Sequence, residues 1–193
     1  MPARILVFSG SARQGSLNQR LADLAARALG EAGGEVTRLS LRDYPLPIYD
    51  GDEEEAGGGP PENARRLHEI FRSHGGVFIA SPEYNAGVTP LLKNTLDWVS
   101  RVRDHGGQAA AFGRPVFALG AASPGGFGGY RGLMVLRQTL TLGLSATVLP
   151  AMASVSAAHE AFDAAGDLKS ERSAKSLRAL AAQLVAEAGK VGG

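Results

Sequence analysis

The sequence predicts an α/β fold: a parallel sheet covered by helices on both faces. Three features predict it. Short, continuously apolar runs alternate with segments whose apolar residues recur at helical spacing, along almost the whole chain. Parallel neighbours require crossover connections, and strands covered on both faces are apolar throughout rather than alternating. Small-residue or glycine-rich loops follow the first, third and fourth apolar runs, where doubly wound sheets collect their ligands.

The first strand is Arg4–Ser9, with Ile5-Leu6-Val7-Phe8 at its centre. A loop, Gly10–Asn18, opens a helix over about Asn18–Ala32, in which Leu21, Leu24, Ala25, Ala28 and Leu29 form one stripe. Gly33-Gly34 ends that helix, and Glu35–Leu41 reads as the second strand. The long polar connection that follows contains the acidic run Asp52–Glu55, expected as a solvated loop, and the breaker cluster Gly57–Pro61. A helix over Glu62–Ser73 leads to the third strand, Gly76–Ser81.

After Pro82–Val88, a helix over Thr89–Arg101 carries Leu91, Leu92, Leu96 and Trp98-Val99. Gly106–Gly113 reads as a flexible segment and Pro115–Gly120 as the fourth strand. The glycine-rich Ser123–Gly129 precedes a helix marked by Leu133, Leu136, Leu140 and Leu144. Ser145–Leu149 is the fifth strand, and Ser154–Gly166 is weakly patterned. A final helix, about Lys169–Gly189, aligns Leu177, Leu180, Ala181, Leu184 and Val185. No repeat or internal boundary interrupts this alternation, so residues 1–193 are expected to form one domain.

Composition narrows the function. The chain is 44% hydrophobic and 20% charged, the balance of a soluble globular protein. A formal net charge of +1 provides no broad basic field for nucleic acid or a membrane surface. With no cysteine there are no disulfides, thiolate metal sites or cysteine nucleophiles, which suits a reducing cytoplasm. The first strand begins by Arg4, so no signal peptide is expected, and no apolar run approaches the roughly 20 residues of a membrane helix. His68, His74, His105 and His159 lack metal-ligand spacing and are expected as core or surface residues; no metal is expected.

The chemistry lies in the three loops. The first places Ser11, Arg13, Ser16 and Asn18 at a helix start, where unpaired N–H groups and partial positive charge suit an anion. It lacks the lysine of a triphosphate-binding loop, and Ala12 stands where the dinucleotide pattern needs glycine. The loop therefore reads either as a single-phosphate site or as an ordinary capped turn. The second, Ser81-Pro82-Glu83-Tyr84-Asn85, combines a rigid proline, a flat aromatic face and an amide. It suits a planar heterocycle, or equally a turn with Tyr84 packed on the core. The third, Ser123-Pro124-Gly125-Gly126-Phe127-Gly128-Gly129, resembles a nucleophile elbow at Ser123. Pro124, however, has no N–H to donate to an oxyanion, so the glycines are better explained by close backbone approach to a ligand.

Taken together, the loops resemble the NAD(P)H-dependent FMN reductase family, the flavodoxin-like group that includes quinone, chromate and azo-dye reductases. Gly10, Ser11, Arg13, Ser16 and Asn18 match its phosphate loop, and Ser81–Asn85 is its flavin loop intact. Leu92, Lys93, Asn94, Asp97 and Trp98 match the stretch that follows, and Ser123, Gly125, Gly128 and Gly129 match its third loop. The resemblance spans roughly Arg4 to Pro150.

That resemblance implies a flavodoxin-like three-layer sandwich whose five-stranded parallel sheet has the order 2-1-3-4-5. It implies that Ser11, Arg13, Ser16, Leu17 and Asn18 bind the FMN phosphate. Pro82, Glu83, Tyr84 and Asn85 would contact the ribityl chain and ring, and Ser123, Gly125 and Gly126 would border the ring. Hydride would pass from NAD(P)H through FMN to quinones, chromate, azo compounds or free flavin by a ping-pong mechanism. The flavin carries that chemistry, so no side chain is nominated as an acid or base. A homodimer or homotetramer is implied, with the helix carrying Asp97 and Trp98 at or near the interface. The alternative is a flavodoxin-like electron carrier with no NAD(P)H activity of its own. Such carriers are usually strongly acidic, and a net charge of +1 speaks against one. Gly106–Gly113 and Tyr130-Arg131 lie outside the pattern, as features that could border the site or shape acceptor access.

Overall fold

The computed structural model describes residues 1–191. Its elements run in the order β1 (Arg4–Ser9), α1 (Leu17–Glu31), β2 (Glu35–Leu39), α2 (Gly51–Ala56), α3 (Glu62–Arg72) and β3 (Gly76–Ala80). There follow the short strands β4 (Glu83–Tyr84) and β5 (Gly87–Val88), then α4 (Pro90–Arg101), β6 (Val116–Ala122), α5 (Tyr130–Gln138), β7 (Thr147–Val155) and α6 (Glu171–Val191). β2, β1, β3, β6 and β7 form one parallel sheet in that order, which is the predicted 2-1-3-4-5 arrangement.

Period-two alternation along the strands divides the core between two layers. Ile5, Val7, Phe78 and Ala80 face α1 and α6, packing on Leu21, Ala25, Leu29, Leu180 and Leu184. Leu6, Phe8, Val77 and Ile79 face the other way, onto Leu67 and Phe71 of α3, Leu92 and Leu96 of α4, and Leu133 and Leu136 of α5. The central strands β1, β3 and β6 therefore bury both faces, as their continuous apolar runs require, whereas the edge strands β2 and β7 stay partly exposed.

Four expectations change. The second strand stops at Leu39, because Ser40 accepts from the Arg42 amide and turns the chain into a short 3-10 turn, Leu41–Asp43. The acidic run is not a loop: Asp50 caps α2, and its acids occupy a helix N-terminus where negative charge is favourable. Gly106–Gly113 is not a flexible segment. It folds into 3-10 and π turns that bury Ala111 and Phe112, with Phe112 edge-on to Phe71 and stacked on Phe117. The fifth strand runs past Leu149 to Val155, because it bulges around Pro150 and then pairs again, Leu119 with Met152 onward. Arg137 covers the bulged edge by donating to the carbonyls of Leu149 (2.5 Å) and Pro150 (3.0 Å).

Trp98 is core within the chain. It is 2% exposed, its indole N–H donates to the Pro47 carbonyl at 2.8 Å, and Tyr49 packs against it edge-on. Asn94 donates to that same carbonyl (2.8 Å) and accepts from the Tyr49 amide (2.8 Å). Lys93 and Asp97 form an i,i+4 surface pair. The matched residues of this helix thus fasten the long polar connection to α4.

Candidate functional site

The reversal of strand order falls between β1 and β3, and the carboxyl ends of β1, β3 and β6 lie together there. The three loops that leave those ends enclose a cleft of about 140 Å³. Ser11, Arg13, Ser16, Leu17 and Asn18 line it from the first loop, Pro82, Glu83 and Tyr84 from the second, and Ala122, Ser123 and Pro124 from the third. The convergence expected from the sequence is present. Asn85, Gly125 and Gly126 are not among the lining residues.

The first wall is the loop that opens α1. Ser16 caps α1, its hydroxyl accepting from the Asn18 amide at 3.2 Å. Ser9 and Ser11 shape the approach by accepting from the amides of Ser11 and Arg13, each at 3.2 Å. Gly15 bends the loop at φ 67°, a conformation that glycine adopts without strain. The guanidinium of Arg13 is exposed beside the cleft, and no ion pair among the described residues engages it. An anion seated here would meet a free cation and the positive end of a helix.

The second wall is a hairpin. β4 and β5 pair Glu83 with Val88 and Tyr84 with Gly87, and Asn85 and Ala86 form the turn at φ 51° and 62°. Two successive left-handed residues make a primed hairpin turn. Asn85 therefore bends the hairpin, and Tyr84 is carried out to the cleft, 54% exposed rather than packed on the core.

Two nominated residues are occupied by the protein itself. Asn18 is 3% exposed, and its amide is consumed by one residue: Nδ2 donates to the Ala122 carbonyl (2.8 Å) and Oδ1 accepts from the Ala122 amide (2.9 Å). Glu83 borders the cleft, but its carboxylate turns to α5. It accepts from the Gly132 amide at 2.9 Å and from Arg131 Nε and Nη2 at 3.0 and 2.5 Å. Burial raises its pKa, but the bonds from Gly132 and Arg131 outweigh that and hold the carboxyl below the usual glutamate range. A third link comes from Thr89, which sequence reasoning missed. Its hydroxyl donates to the Gly10 carbonyl (2.7 Å) and caps α4 by accepting from Leu92. The signal was present as Thr89-Pro90, a capping residue ahead of a proline in the first turn.

These links close a ring. Asn18 ties the first wall to the third, Glu83 the second to the third, and Thr89 the start of α4, just beyond the hairpin, to the first.

The glycines of the third loop divide by role. A side chain on Gly128 would lie 2.5 Å from Ser154 Oγ, and one on Gly129 would lie 2.6 Å from Ala121 Cβ. Both have positive φ, so internal packing requires glycine there, contrary to the expectation of close approach to a ligand. A side chain on Gly126 would meet nothing, and Gly125 faces only Ser123 Oγ. Ser123 accepts from the Gly125 amide and precedes Pro124. The histidines are engaged elsewhere: His68 with Gly107, His74 with Ile70 and Thr37, His105 with Glu69, and His159 with Glu160. Ser123 thus has no histidine base among the described residues.

An exposed cation at a helix N-terminus and an exposed aromatic thus share one cleft at the switch point of the sheet. The family model described as NADPH-dependent FMN reductase matches residues 3–160. The chain belongs to that family. Among its FMN reductase relatives, one described as an NAD(P)H-dependent FMN reductase of Pseudomonas aeruginosa is 35% identical over 173 residues, covering 88% of this chain and 86% of that protein. A quinone reductase of Escherichia coli K12 is 38% identical over 138 residues, or 71% and 69% of the two chains. The solved structure of the flavoenzyme NAD(P)H:(acceptor) oxidoreductase FerB from Paracoccus denitrificans superposes with a TM-score of 0.78 at 26% identity, covering 97% of this chain and 98% of that one.

Proposed function

We propose that this chain is an FMN-dependent oxidoreductase that draws on NAD(P)H to reduce quinones or similar small acceptors. The observation that carries the reading is the pairing, within one cleft, of the Arg13 guanidinium at the α1 N-terminus, which no ion pair among the described residues engages, with the exposed Tyr84. The groups present suit FMN. Arg13, the Ser11 and Ser16 hydroxyls and the amides entering α1 would hold its phosphate. Pro82, Tyr84, Asn85 and Ser123 would border its ribityl chain and ring, with Gly125 and Gly126 offering backbone free of side chains. The cleft, at about 140 Å³, is smaller than the ~300 Å³ and upward usual for such ligands. A flavin nucleotide would therefore extend over the rim beside Tyr84.

When bound, FMN supplies the hydride chemistry, accepting from NAD(P)H and passing reducing equivalents on. The protein's own residues bind and orient. Asn18, Thr89 and Glu83 keep the walls in register, so the first and second loops meet the ligand as one preformed surface. The Glu83 carboxylate is committed to Arg131 and Gly132, so it is not free to move a proton. Donor and acceptor would use the same open face in turn, which gives ping-pong kinetics.

The chain would work as one domain over residues 1–193, in the cytoplasm; among the described residues no helix is long and apolar enough to cross a membrane. A homodimer or homotetramer is proposed, with α4, the helix that carries Asp97 and Trp98, at or near the interface, and with Tyr130 and Met134 of α5 and Leu142 just beyond it as further exposed apolar surface. Steady-state oxidation of NADPH by the FMN-loaded protein with an added quinone tests the activity. Turnover is expected, whereas FMN binding without turnover would instead indicate an electron carrier.

A further inference from the structure

Beyond the cleft proper, the most elaborated feature of the rim is a relay that ends on a bare aromatic ring. Glu83 receives Arg131 through two bonds to one oxygen, and its other oxygen takes the Gly132 amide. The guanidinium of Arg131 then lies over the ring of Phe127, 4.7 Å from its centroid. Phe127 is 65% exposed, three residues past Pro124 of the cleft wall. Its backbone is held from the other side, where Ser154 Oγ donates to the carbonyls of Phe127 (3.3 Å) and Gly128 (3.1 Å). Gly129 and Gly132 bring this loop against Glu83, since a side chain at either would lie 3.8 or 3.1 Å from Glu83 Cβ.

An exposed phenylalanine is ordinary, but one fastened from two sides is not explained by packing, because the ring itself buries little. The cation lies over the ring, and a cation–π contact at an exposed site holds an aromatic without covering it completely. The result is a flat, exposed apolar surface three residues beyond the cleft wall, linked through Arg131 and Glu83 to the hairpin that carries Tyr84.

We propose that Phe127 is the acceptor-selecting residue of this protein, a platform for flat aromatic acceptors, and that Arg131, held by Glu83, is the positioning residue that seats it. The proposal rests on the oxidoreductase reading given above. Aromatic faces favour offset stacking with another flat ring, so the platform discriminates by shape: a planar quinone gains a contact that a compact inorganic acceptor cannot make. The phosphate end of the cleft, at Arg13, lies on a different wall and is not part of this selection.

The test uses the FMN-loaded full chain, 1,4-naphthoquinone as the planar acceptor and ferricyanide as the compact one. Phe127→Ala and Arg131→Gln are each expected to lower kcat/KM for naphthoquinone about fivefold or more. The loss should come through KM, with ferricyanide turnover within about twofold of wild type. The FMN dissociation constant, read by flavin fluorescence, should also stay within about twofold, since neither residue touches the phosphate cradle. Arg131→Lys should restore part of the naphthoquinone affinity, and Phe127→Tyr nearly all of it. An equal loss with both acceptors, a fall in kcat alone, or weakened FMN binding would show that the relay merely supports the fold, and unchanged kinetics would show that the ring does nothing; each overturns the proposal. Failure of the wild-type protein to bind FMN would overturn the underlying reading and this one with it. Discrimination lost only in the variants identifies Phe127 as the selecting surface.

Discussion

Asn18 and Ala122, 104 residues apart, exchange two hydrogen bonds: the Asn18 amide donates to the Ala122 carbonyl at 2.8 Å and accepts from its N–H at 2.9 Å. This is the pairing that a neighbouring strand would give Ala122, supplied instead by a helix N-terminus. It satisfies the last backbone groups of β6 and fixes the start of α1 over the end of the sheet. The first loop, proposed to hold the phosphate, is therefore positioned from β6 as well as from β1.

Asn18→Ala should destabilise the protein by about 2–3 kcal/mol, because it strands a buried N–H and a buried carbonyl together. Urea denaturation monitored by far-UV circular dichroism checks this. Arg13→Ala, which removes an exposed side chain with no ion pair among the described residues, should leave the midpoint unchanged. If both variants unfold alike, Asn18 is not the clamp described.

Ala86 occupies the second turn position of the β4–β5 hairpin at φ 62°, where a Cβ costs on the order of 1 kcal/mol. Ala86→Gly relieves that strain and, after the roughly 0.5 kcal/mol or more of glycine's entropy cost, should raise stability by up to about 0.5 kcal/mol. A thermal melt that moves downward would mean that the turn is not left-handed.

Gly129→Ala tests the internal role of the glycine loop. Its new Cβ would fall 2.6 Å from Ala121 Cβ, on a residue with φ 82°. A loss of roughly 2 kcal/mol or more is expected, with poor yield of folded protein. Gly126→Ala, with nothing near its added Cβ, should fold normally.

The buried His74 makes stability pH-dependent. Burial holds its pKa below the ordinary histidine value, only partly offset by its bond to the Ile70 carbonyl. As pH falls through about 6.5, the unfolded chain takes up a proton that the folded chain resists. Stability carried by neutral His74 is thus present above that pH and lost below it. The urea midpoint should fall more between pH 7.5 and pH 5.5 for wild type than for His74→Gln; parallel decreases would contradict the assignment.

The parallel sheet and the three-loop convergence were legible because apolar runs such as Ile5–Phe8 and Val77–Ala80 carry their own signal, whereas the order of the strands came only from the family resemblance of the loops. What escaped was long-range use of local-looking residues. Asn18 and Glu83 read as ligand contacts because their chemistry fits a ligand, and only the fold shows Ala122 and Arg131 taking those groups first. The strand around Pro150 was cut short because a bulge breaks the period. Phe112 was hidden in a glycine- and alanine-rich stretch that sequence patterning reads as loose.

Titration of the purified protein with FMN, followed by flavin absorbance and fluorescence, tests the central claim most directly. The account predicts one FMN bound per chain, with the flavin spectrum shifted or its fluorescence changed, and binding weakened about tenfold or more by Arg13→Ala, consistent with loss of a charge-assisted phosphate contact. A wild-type protein that leaves FMN absorbance and fluorescence unaltered would contradict it.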